Sequence, residues 1–424
     1  MKAIRHMVAL SALCSIFFTP ALFCQINWTP VSNQPVLGTG PEGGWDGGCT
    51  VFPIVIKEGD TLKMWYSGLE GEMPIGPWRK GFAWSTDGVN WQRHPGNPID
   101  LQFEVQTIIK EGDSYKGWGP IGWGDKAGIM FYTTSSNGID WTTMVDTDLQ
   151  RGGEQDWDGV PYFRAGPVIK DETEYKMWYM GSKGQVAQIG YATSADGLHW
   201  VKYDDPTTTE APFANSDPVL KVGNSPAWDS QAAFDHWVIR TENGYEMWYT
   251  GYGIGQMSIG YATSADGISW TKSPDNPIFK HNPPWGSAHF TPCVLLFDNT
   301  YHMWYSSYTD NSGQYSAIGY MTSVETDVKT GKSDVKYPDA FALTNHPNPF
   351  NPETTIEFAL EKNQFVSLEI RNLQGELVET LKSKMCGAGS HTVTWNAAHQ
   401  PSGLYLCRLR GEHFSQVRKM LLVR

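Results

Sequence analysis

Short runs of alternating apolar and polar residues cover most of the chain, and Gly, Asp, Asn or Pro separates one run from the next. Alternation with a period of two over about four to eight residues, bounded by such turn residues, predicts β-strands. Many of the runs are rich in Trp, Tyr, Phe and Val, which suit a pleated and half-buried surface. The pattern therefore predicts an all-β chain.

One of these segments, IGYATSADG, occurs twice letter for letter, at 189–197 and at 259–267. Related text occurs five times, and each copy follows an aromatic run: LKMWYSG, YKGWG, YKMWYMG, YEMWYTG and YHMWYSS. The spacing of roughly fifty to seventy residues fits one supersecondary unit per repeat. We therefore interpret these segments first as parts of a repeated fold.

Each repeat predicts four antiparallel strands. An apolar run and an aromatic run flank an acidic turn, as in VIKEGDTLKMWY, which predicts a first hairpin. Asp-Gly or Asn-Gly follows in WSTDGVNW, TSSNGIDW, TSADGLHW and TSADGISW, and predicts a second hairpin with a two-residue type I′ turn. Five such sheets around an axis form a five-bladed β-propeller.

The fifth repeat lacks its outer strand. It stops at MTSVETD, without the Asp-Gly turn and the Trp that end the other four repeats. The segment INWTPVSNQPVL at 26–37 resembles WTKSPDNPIF, which ends the fourth repeat. We predict that residues 26–32 supply the missing strand, so that the chain closes the ring and leaves no long sheet edge exposed.

The beginning of the chain differs from the repeats. MKAIRHMVALSALCSIFFTPALFC has a short basic start and an apolar stretch too brief for a membrane span, so residues 1–24 are predicted to be a cleaved secretory signal peptide. Cys24 leaves a lipoprotein alternative open, although the two residues before it are larger than such processing favours. Residues 25–325 are assigned to the propeller, and the polar segment 326–340 is predicted to be a linker.

Residues 341–424 change character again. NHPNPFNPETTIEFAL, VSLEIRNLQGELVETL and GLYLCRLR read as short alternating strands after a Pro-rich start, which predicts a small immunoglobulin-like β-sandwich. Through NHPNPFNPETTIEF, LQGELV and SGLYLCRL, this region resembles the type A C-terminal sorting domain of the type IX secretion system. The resemblance implies export by the type IX secretion machinery to the cell surface or the medium. A generic bacterial immunoglobulin-like module is the alternative.

The net charge limits the classes of binding partner, and the cysteine positions raise the question of disulfide bonds. The net charge of −13 argues against a nucleic-acid partner, which requires a basic face. A secreted protein meets oxidising conditions; Cys49 and Cys293 fall in the first and fifth repeats, while Cys386 and Cys407 share the C-terminal domain. Disulfides and buried free thiols both remain open, because a sequence does not set distances.

Candidate chemistry lies where the first strands of a propeller begin, because these segments converge around the axis. A Trp-Asp pair recurs there in three repeats, and the fifth repeat has Trp-Gly. In one interpretation the carboxylates act in catalysis and the indoles stack on sugar faces. In the other the pairs only stabilise turns, which their repetition favours. The residues concerned are Trp45-Asp46, Trp157-Asp158, Trp228-Asp229 and Trp285.

Residues that occur in one repeat only are stronger catalytic candidates, because active sites break repeat symmetry. Glu104 has apolar sequence neighbours, and we predict that burial raises its pKa to that of a general acid. Asp46 or Asp158 is the predicted ionised partner. This assignment requires the three carboxyl groups to face one cavity.

A second set of unmatched residues lies in the third, fourth and fifth repeats. Asp235 and His236 occupy the place that other repeats fill with Phe-Pro, Ala-Gly or Thr-Pro. Asp235 is predicted to be catalytic, and Arg164, His236 and His289 are predicted to contact the substrate. Buried, fully bonded histidines are the alternative for the last two.

The Trp-Asp pairs and the IGYATSADG segments together resemble the five-bladed propeller glycosidases of families 43, 32 and 130. The resemblance implies hydrolysis or phosphorolysis of glycan linkages by carboxylates at the starts of inner strands. The family 43 pattern carries over poorly, since Phe52-Pro53 and Ala165-Gly166-Pro167 stand where that family has acidic residues. Only Asp235 keeps an acid at this position.

Two main hypotheses follow. The first is a secreted glycoside hydrolase that acts on a plant or algal polysaccharide or oligosaccharide, and the alternative is a non-catalytic carbohydrate-binding propeller at the cell surface. A surface adhesion protein has less support. No metal-ligand spacing or cofactor motif is visible in the sequence, so no metal or cofactor is predicted, with an axial Ca²⁺ left open. A monomer is expected.

Overall fold

The computed structural model describes residues 25–71, 78–101, 104–121, 128–279, 285–298, 300–309, 315–326, 343–360, 363–372, 377–411 and 415–423. Every regular element in these ranges is a β-strand, so the predicted all-β class is confirmed, and none of the described residues belongs to a helix that could span a membrane. The chain divides into two compact units, Met1–Lys329 and Thr330–Arg424, within the segment predicted to be a linker. The predicted signal peptide lies outside the described residues.

The first unit consists of short strands grouped by repeat. The strands are β1 (Gln25–Ile26), β2 (Thr29–Pro30), β3 (Cys49–Glu58), β4 (Thr61–Leu69), β5 (Arg79–Ser85), β6 (Gln92–Arg93), β7 (Thr107–Glu111), β8 (Ser114–Pro120), β9 (Ile129–Ser135), β10 (Val145–Gln150), β11 (Phe163–Lys170), β12 (Tyr175–Lys183), β13 (Val186–Ser194), β14 (Trp200–Lys202), β15 (Pro218–Leu220), β16 (Ala232–Thr241), β17 (Gly244–Tyr252), β18 (Ser258–Ser264), β19 (Thr271–Lys272), β20 (His289–Phe297), β21 (Thr300–Tyr308) and β22 (Ser316–Thr326).

These strands form five antiparallel groups, which we number as blades in chain order. Blades 1, 2 and 4 are β3 to β6, β7 to β10 and β16 to β19; blade 3 is β11 to β14 with β15, and blade 5 is β20 to β22 with β1 and β2. The first strands contact one another in the circular order β3, β7, β11, β16, β20 and back to β3. The hydrogen-bonded sheets themselves do not merge into one closed sheet.

The N-terminal segment supplies the outer strand of blade 5. Ile26 pairs with Glu325, and Thr29 pairs with Thr322, in the antiparallel sense. The N–H of Val31 continues the pairing by donating to the carbonyl of Tyr320 at 3.1 Å. The strand predicted for residues 26–32 is therefore present, and it joins the start of the first unit to its end.

The Asp-Gly segments are not two-residue hairpin turns, so that prediction is wrong. In blade 3 the loop runs from the end of β13 to the start of β14. The carboxylate of Asp196 accepts the N–H groups of Leu198 and His199 at 2.8 and 2.9 Å. Gly197 adopts a φ of 83°, which explains the glycine, and its N–H donates to the hydroxyl of Ser194. A longer loop braced by side chains replaces the tight turn.

The carbonyl of this glycine joins neighbouring blades. Gly197 accepts one indole N–H from Trp200 of its own blade and one from Trp118 of blade 2, at 2.9 and 2.8 Å. A turn that must hold two buried indoles tolerates little change, which explains why the motif repeats so closely. The equivalent groups are Gly88 with Trp91 and Trp304, Gly138 with Trp141 and Trp65, and Gly267 with Trp270 and Trp178.

The glycine of IGY has a different role. A Cβ at Gly190 would lie 2.4 Å from the ring of Tyr179, and a Cβ at Gly260 would lie 2.8 Å from the indole of Trp228. Only glycine leaves room for these aromatic rings to cross the third strand. In IGYATSADG, the final glycine thus accepts the hydrogen bonds that join neighbouring blades. The first glycine leaves space for aromatic rings inside its own blade.

The cysteines of the described residues are free thiols. Cys49 and Cys293 are fully buried, and the Cys293 sulfur accepts the N–H of Val55 at 3.2 Å. Cys386 and Cys407 are buried in the second unit. The free-thiol alternative is therefore the one that the structure shows.

The second unit contains two antiparallel sheets around one apolar core. Trp395 lies at its centre with ring contacts to Tyr405 and Phe350 at 5.2 and 5.4 Å. The sheets have the orders β23-β24-β27 and β26-β25-β28-β29. Their strands are β23 (Thr344–His346), β24 (Glu353–Leu360), β25 (Gln364–Arg371), β26 (Leu377–Cys386), β27 (Gly389–Asn396), β28 (Gly403–Arg410) and β29 (Ser415–Leu422).

Candidate functional site

The first strands of four blades carry a β-bulge at equivalent positions. In blades 1, 4 and 5 the bulge contains Phe52, Asp235 and Thr291, with φ values of 55°, 36° and 50°. Non-glycine residues in this conformation are strained, and such strain tends to occur at functional sites. Blade 3 places Gly166 and Pro167 in its bulge. These bulges lie around the axis.

Hydroxyl groups on the second strands hold the bulges in place. Thr250 accepts the N–H of Thr291 and donates to the carbonyl of Asp235, at 3.0 and 3.1 Å. Ser306 accepts the N–H of Phe52 at 3.1 Å. Each hydroxyl follows the Met-Trp-Tyr sequence of its blade, so the local sequence that builds the second strand also fixes the bulge of the next blade.

A cavity of about 50 Å³ lies between the bulges. All five blades contribute to it, which makes it the axial cavity of the first unit. Arg164, Asp235 and Gln106 are its main polar side chains, and Trp237 lies on its wall. The lining residues are Phe52, Pro53, Ile54, Gln106, Arg164, Ala165, Gly166, Pro167, Asp235, His236, Trp237, Thr291 and Pro292.

Arg164 contacts two carboxylates, of which Asp235 lines this cavity and Glu104 does not belong to its described lining. Its Nε lies 3.4 Å from Oδ1 of Asp235, and its Nη2 lies 3.8 Å from Oε1 of Glu104. The guanidinium also stacks over the ring of Phe52 at 4.6 Å, while Gln106 accepts the N–H of Ala165 at 2.8 Å and fixes the backbone beside it. Glu104, Arg164 and Asp235 come from blades 2, 3 and 4, and we call them the axial triad.

Burial sets the protonation properties of the axial triad. Enclosure raises the pKa of Asp235; the charge of Glu104 adds to this effect and Arg164 opposes it. The Asp235 side chain is 12% exposed, whereas that of Glu104 is 28% exposed and lies next to a guanidinium. The enclosed carboxyl that was predicted at Glu104 is therefore found at Asp235.

Lys80 is a charged neighbour that the sequence did not single out. It is 4% exposed and donates to the hydroxyl of Ser67 at 2.9 Å. Burial lowers the pKa of Lys80 to about 8, although the charge of Glu104 partly offsets this effect. A buried ammonium group beside Glu104 and Arg164 adds a second cation to the site.

The Trp-Asp carboxylates lie elsewhere, inside the blades. Asp158 accepts the hydroxyl of Tyr179 at 3.2 Å and the ammonium of Lys202 at 2.6 Å. Asp46 meets Tyr66 and Arg93 in the same way, and Asp229 meets Tyr249 and Lys272. All three carboxylates are at most 2% exposed.

Asp46, Asp158 and Asp229 are absent from the described lining of the axial cavity. Glu104 is absent from this lining as well, so the expectation that it shares one cavity with Asp46 and Asp158 stays a prediction. Each of the three aspartates neutralises a cation and accepts a tyrosine hydroxyl within its own blade. These contacts match from blade to blade, and a structural role explains them.

The indoles of these pairs face the same tyrosines. Trp157 is 2% exposed, stacks on Tyr179 at 5.9 Å and donates to Ser216. None of the four indoles belongs to the described lining of the axial cavity, so the structure does not offer them to a sugar there. Trp45, Trp228 and Trp285 contact Tyr66, Tyr249 and Tyr305 at 5.6, 5.7 and 6.2 Å.

The two candidate histidines have different surroundings. His236 lines the axial cavity but is 5% exposed, and burial lowers its pKa to about 3. Its neutral ring bonds through Nε2 to the carbonyl of Trp178 at 3.1 Å, and a Cβ at Gly166 would come within 2.4 Å of that nitrogen. His289 is 1% exposed, stacks on Phe279 at 4.4 Å and is not part of the described cavity lining. The substrate contact predicted for His289 therefore stays a prediction.

Sequence reasoning thus found Glu104, Arg164 and Asp235 because they break the repeat. It missed Lys80 and Gln106, which are also unmatched but lie at positions that are not acidic or aromatic. Among the described residues no three His, Cys, Asp or Glu side chains converge in a way that could hold a metal ion.

Comparisons with known proteins agree with this architecture. Residues 345–423 match the family model of the secretion system C-terminal sorting domain. The chain therefore carries this domain, which marks the protein as secreted or attached to the cell surface. The uncharacterized protein Rv1502 of Mycobacterium tuberculosis is 25% identical over 250 residues, which cover 54% of this chain and 76% of the relative.

Solved structures show the fold of the first unit. The alpha-L-arabinofuranosidase PaAbf62A from Podospora anserina has a TM-score of 0.51 at 12% identity, and the match covers 70% of this chain and 96% of that one. The GH32 beta-fructofuranosidase BmSUC1 from Bombyx mori has a TM-score of 0.50 at 11% identity, over 92% of this chain and 89% of the other. At these identities the likeness is one of fold.

Proposed function

We propose that the first unit is a five-bladed β-propeller that acts as a secreted glycoside hydrolase on a plant or algal polysaccharide. The observation that carries the proposal is the axial triad, in which Arg164 contacts both Glu104 and Asp235. Arg164 and Asp235 line a cavity to which all five blades contribute. Glycoside hydrolysis requires two carboxyl groups on opposite sides of the scissile bond. Axial position, paired acids and a glycosidase-like fold together support this activity.

The geometry suggests different roles for the two acids. A general acid must be protonated near the working pH, and the raised pKa of Asp235 suits that role. Glu104 is more exposed and would serve as the base or nucleophile. One guanidinium contacts both groups, so their oxygens can be no farther apart than about 9.5 Å, the upper separation of paired glycosidase carboxyls.

A carbohydrate-binding propeller is the second candidate, and two observations favour it. Phe52 occupies the bulge position of blade 1, where the glycosidase resemblance places an acid. Arg164 pairs with both carboxylates, as expected of groups that bind sugar hydroxyls through fixed charges. In this alternative the same cavity holds a glycan without cleaving it.

Substitution of the two acids separates these functions. Glu104→Gln and Asp235→Asn keep the side-chain shape but cannot transfer a proton. In an enzyme they should each lower kcat by on the order of 10² to 10⁴, whereas in a binding protein they should change the affinity by roughly 0.5 to 3 kcal/mol.

The measurement is release of reducing sugar, together with binding, over a panel of arabinan, xylan, mannan and fructan. Glu172→Gln, an exposed carboxylate in the turn between β11 and β12, is the matched control. Full activity in both active-site variants would rule out the proposed catalytic pair. Binding without release by the unmodified protein would establish the second candidate.

The second unit fits a role in export. We infer that its two sheets form the immunoglobulin-like sandwich recognised by the type IX secretion machinery, and that the propeller acts as a monomer once outside the cell. The matched residues 345–423 support the first inference.

A further inference from the structure

A second pocket opens between blades 3 and 4, and we call it the rim pocket. Its volume is about 460 Å³, which is within the range of binding sites for small molecules. Its lining includes Tyr162, Met180, Phe234, Tyr252 and Met257. None of these residues was among the candidates from the sequence.

Strand pairing joins the two blades at the floor of the rim pocket. Ala187 of β13 and Ala232 of β16 form a parallel bridge that joins blades 3 and 4 into one sheet. Met180 packs with this alanine pair, and Phe234 covers the group from one side. Two small residues at the bridge leave the space above them open, so the pocket is a built feature of the blade interface.

The apolar character of this pocket departs from the repeat. Blades 1, 4 and 5 place Ser67, Thr250 and Ser306 directly after Met-Trp-Tyr, and these hydroxyls bond to neighbouring groups. Blade 3 places Met180 at that position, and its side chain lines the rim pocket. A departure from repeat symmetry at this point parallels the one that created the axial triad.

Two aromatic rings form the open walls. Tyr162 is 60% exposed, and Tyr252 is 42% exposed. The backbone of Tyr162 is nevertheless fixed, because its N–H donates to Ser182 and its carbonyl accepts from the same hydroxyl, at 2.8 and 3.1 Å. An exposed ring on a fixed backbone can bind a flat apolar surface with little loss of conformational entropy.

The rim pocket and the axial cavity share Arg164 and Asp235 in their linings. A ligand in the rim pocket therefore reaches the carboxylate of Asp235 and the guanidinium of Arg164. The apolar walls and the charged inner end suit a sugar ring, which has an apolar C–H face and hydroxyl groups along its edge.

Resting on the function proposed above, we propose that the rim pocket binds the sugar unit next to the one held at the axial triad. The substrate is then a linear glycan of two or more units whose chain leaves the cavity between blades 3 and 4. Tyr162 and Tyr252 are its specificity-determining residues.

Chain length and the tyrosine platform are tested together. The probes are linear oligosaccharides of two to four units and the methyl glycoside of the single sugar, each prepared from arabinan, xylan, mannan and fructan. The proteins are the full chain, Tyr162→Ala, Tyr252→Ala and Tyr162→Phe, with Tyr315→Ala as control. Tyr315 is an exposed tyrosine of blade 5 that is not part of the described rim pocket.

We expect the two alanine variants to lower kcat/KM, or the affinity if no cleavage occurs, by roughly three- to tenfold on probes of two or more units. On the methyl glycoside, the two alanine variants should have the same kcat/KM or affinity as the unmodified protein. Tyr162→Phe and Tyr315→Ala should match the unmodified protein on every probe. The rim-pocket assignment would be overturned if Tyr162→Ala and Tyr252→Ala matched the unmodified protein on every probe. It would also be overturned if they lost as much on the methyl glycoside as on the longer probes. Either result would leave the proposed function intact. If the unmodified protein neither cleaves nor binds any probe or parent polysaccharide, the proposed function itself fails.

Discussion

Substitution of two tryptophans can test how much the indole hydrogen bond between blades 5 and 1 contributes to stability. Trp304 and Trp248 are both fully buried and occupy equivalent positions in neighbouring blades. The indole N–H of Trp304 donates to the carbonyl of Gly88 in blade 1 at 3.1 Å. Trp248 faces blade 5, which lacks the Asp-Gly loop, and its N–H has no hydrogen-bond partner among the described residues. Trp28 lies edge-on to its ring instead, at 6.2 Å.

Replacement of each indole by Phe removes the same apolar surface but different polar contacts. Trp304→Phe loses a buried hydrogen bond, which contributes roughly 0.5 to 1.5 kcal/mol. Trp248→Phe removes a buried donor that is unpaired in the described structure, and so relieves a desolvation cost of roughly 1 to 3 kcal/mol. We therefore expect Trp304→Phe to reduce the free energy of unfolding by about 1.5 to 4.5 kcal/mol more than Trp248→Phe does.

Urea unfolding followed by tryptophan fluorescence and circular dichroism measures this difference. Trp178→Phe serves as a second bonded case, because its indole donates to Gly267 at 2.8 Å. It should resemble Trp304→Phe. If Trp248→Phe is as destabilising as the other two variants, the indole bonds do not explain the repeated loop.

Three further results are expected. Deletion of residues 26–32 should lower the urea midpoint of the mature protein, since these residues pair with β22; an unchanged midpoint would argue against closure by this strand. Deletion of residues 345–424 should leave the first unit folded and its glycan interaction intact while abolishing export in the native cell. Loss of the glycan interaction would show that these residues do more than direct export. Stability should decrease as the pH falls from about 6.5 towards 4, because burial lowers the pKa of His236 and His289 to about 3 and 4, so the unfolded chain binds protons that the folded chain does not. His289→Phe should show a shallower decrease in the urea midpoint over that range; an identical slope would exclude His289 as a contributor.

The fold was predictable because the same requirements recur in each blade. Alternating runs, turn residues and the exact repeat of IGYATSADG indicated strands and their grouping, and the missing end of the fifth repeat indicated the strand at residues 26–32. The predicted turn type was wrong because an Asp-Gly pair is compatible with both a tight hairpin turn and a longer loop. Its glycine did require a positive φ, but its aspartate served to brace a longer loop through the N–H groups of Leu198 and His199. A propensity for turns does not distinguish these cases.

The site was predictable only in part, since the sequence shows which residues are unusual and not which way they face. Trp157 and Asp158 have the composition of a sugar site, yet both point into their own blade. There Trp157 stacks on Tyr179, and Oδ2 of Asp158 accepts from Tyr179 and Lys202. The surroundings of Lys80 depend on contacts that its neighbours in the sequence do not reveal.

Repeat symmetry itself distinguishes the two kinds of residue. A contact that stabilises one blade can recur in the others, and this explains the Trp-Asp pairs of three blades and the indole-bonding glycines of four. A single ligand on the axis touches each blade differently, so the residues that bind it must differ between blades. Glu104, Arg164 and Asp235 differ and contact one another, and Met180 departs from the hydroxyl of blades 1, 4 and 5 where the rim pocket begins. The places where this chain stops repeating itself are therefore the places where its chemistry should be sought.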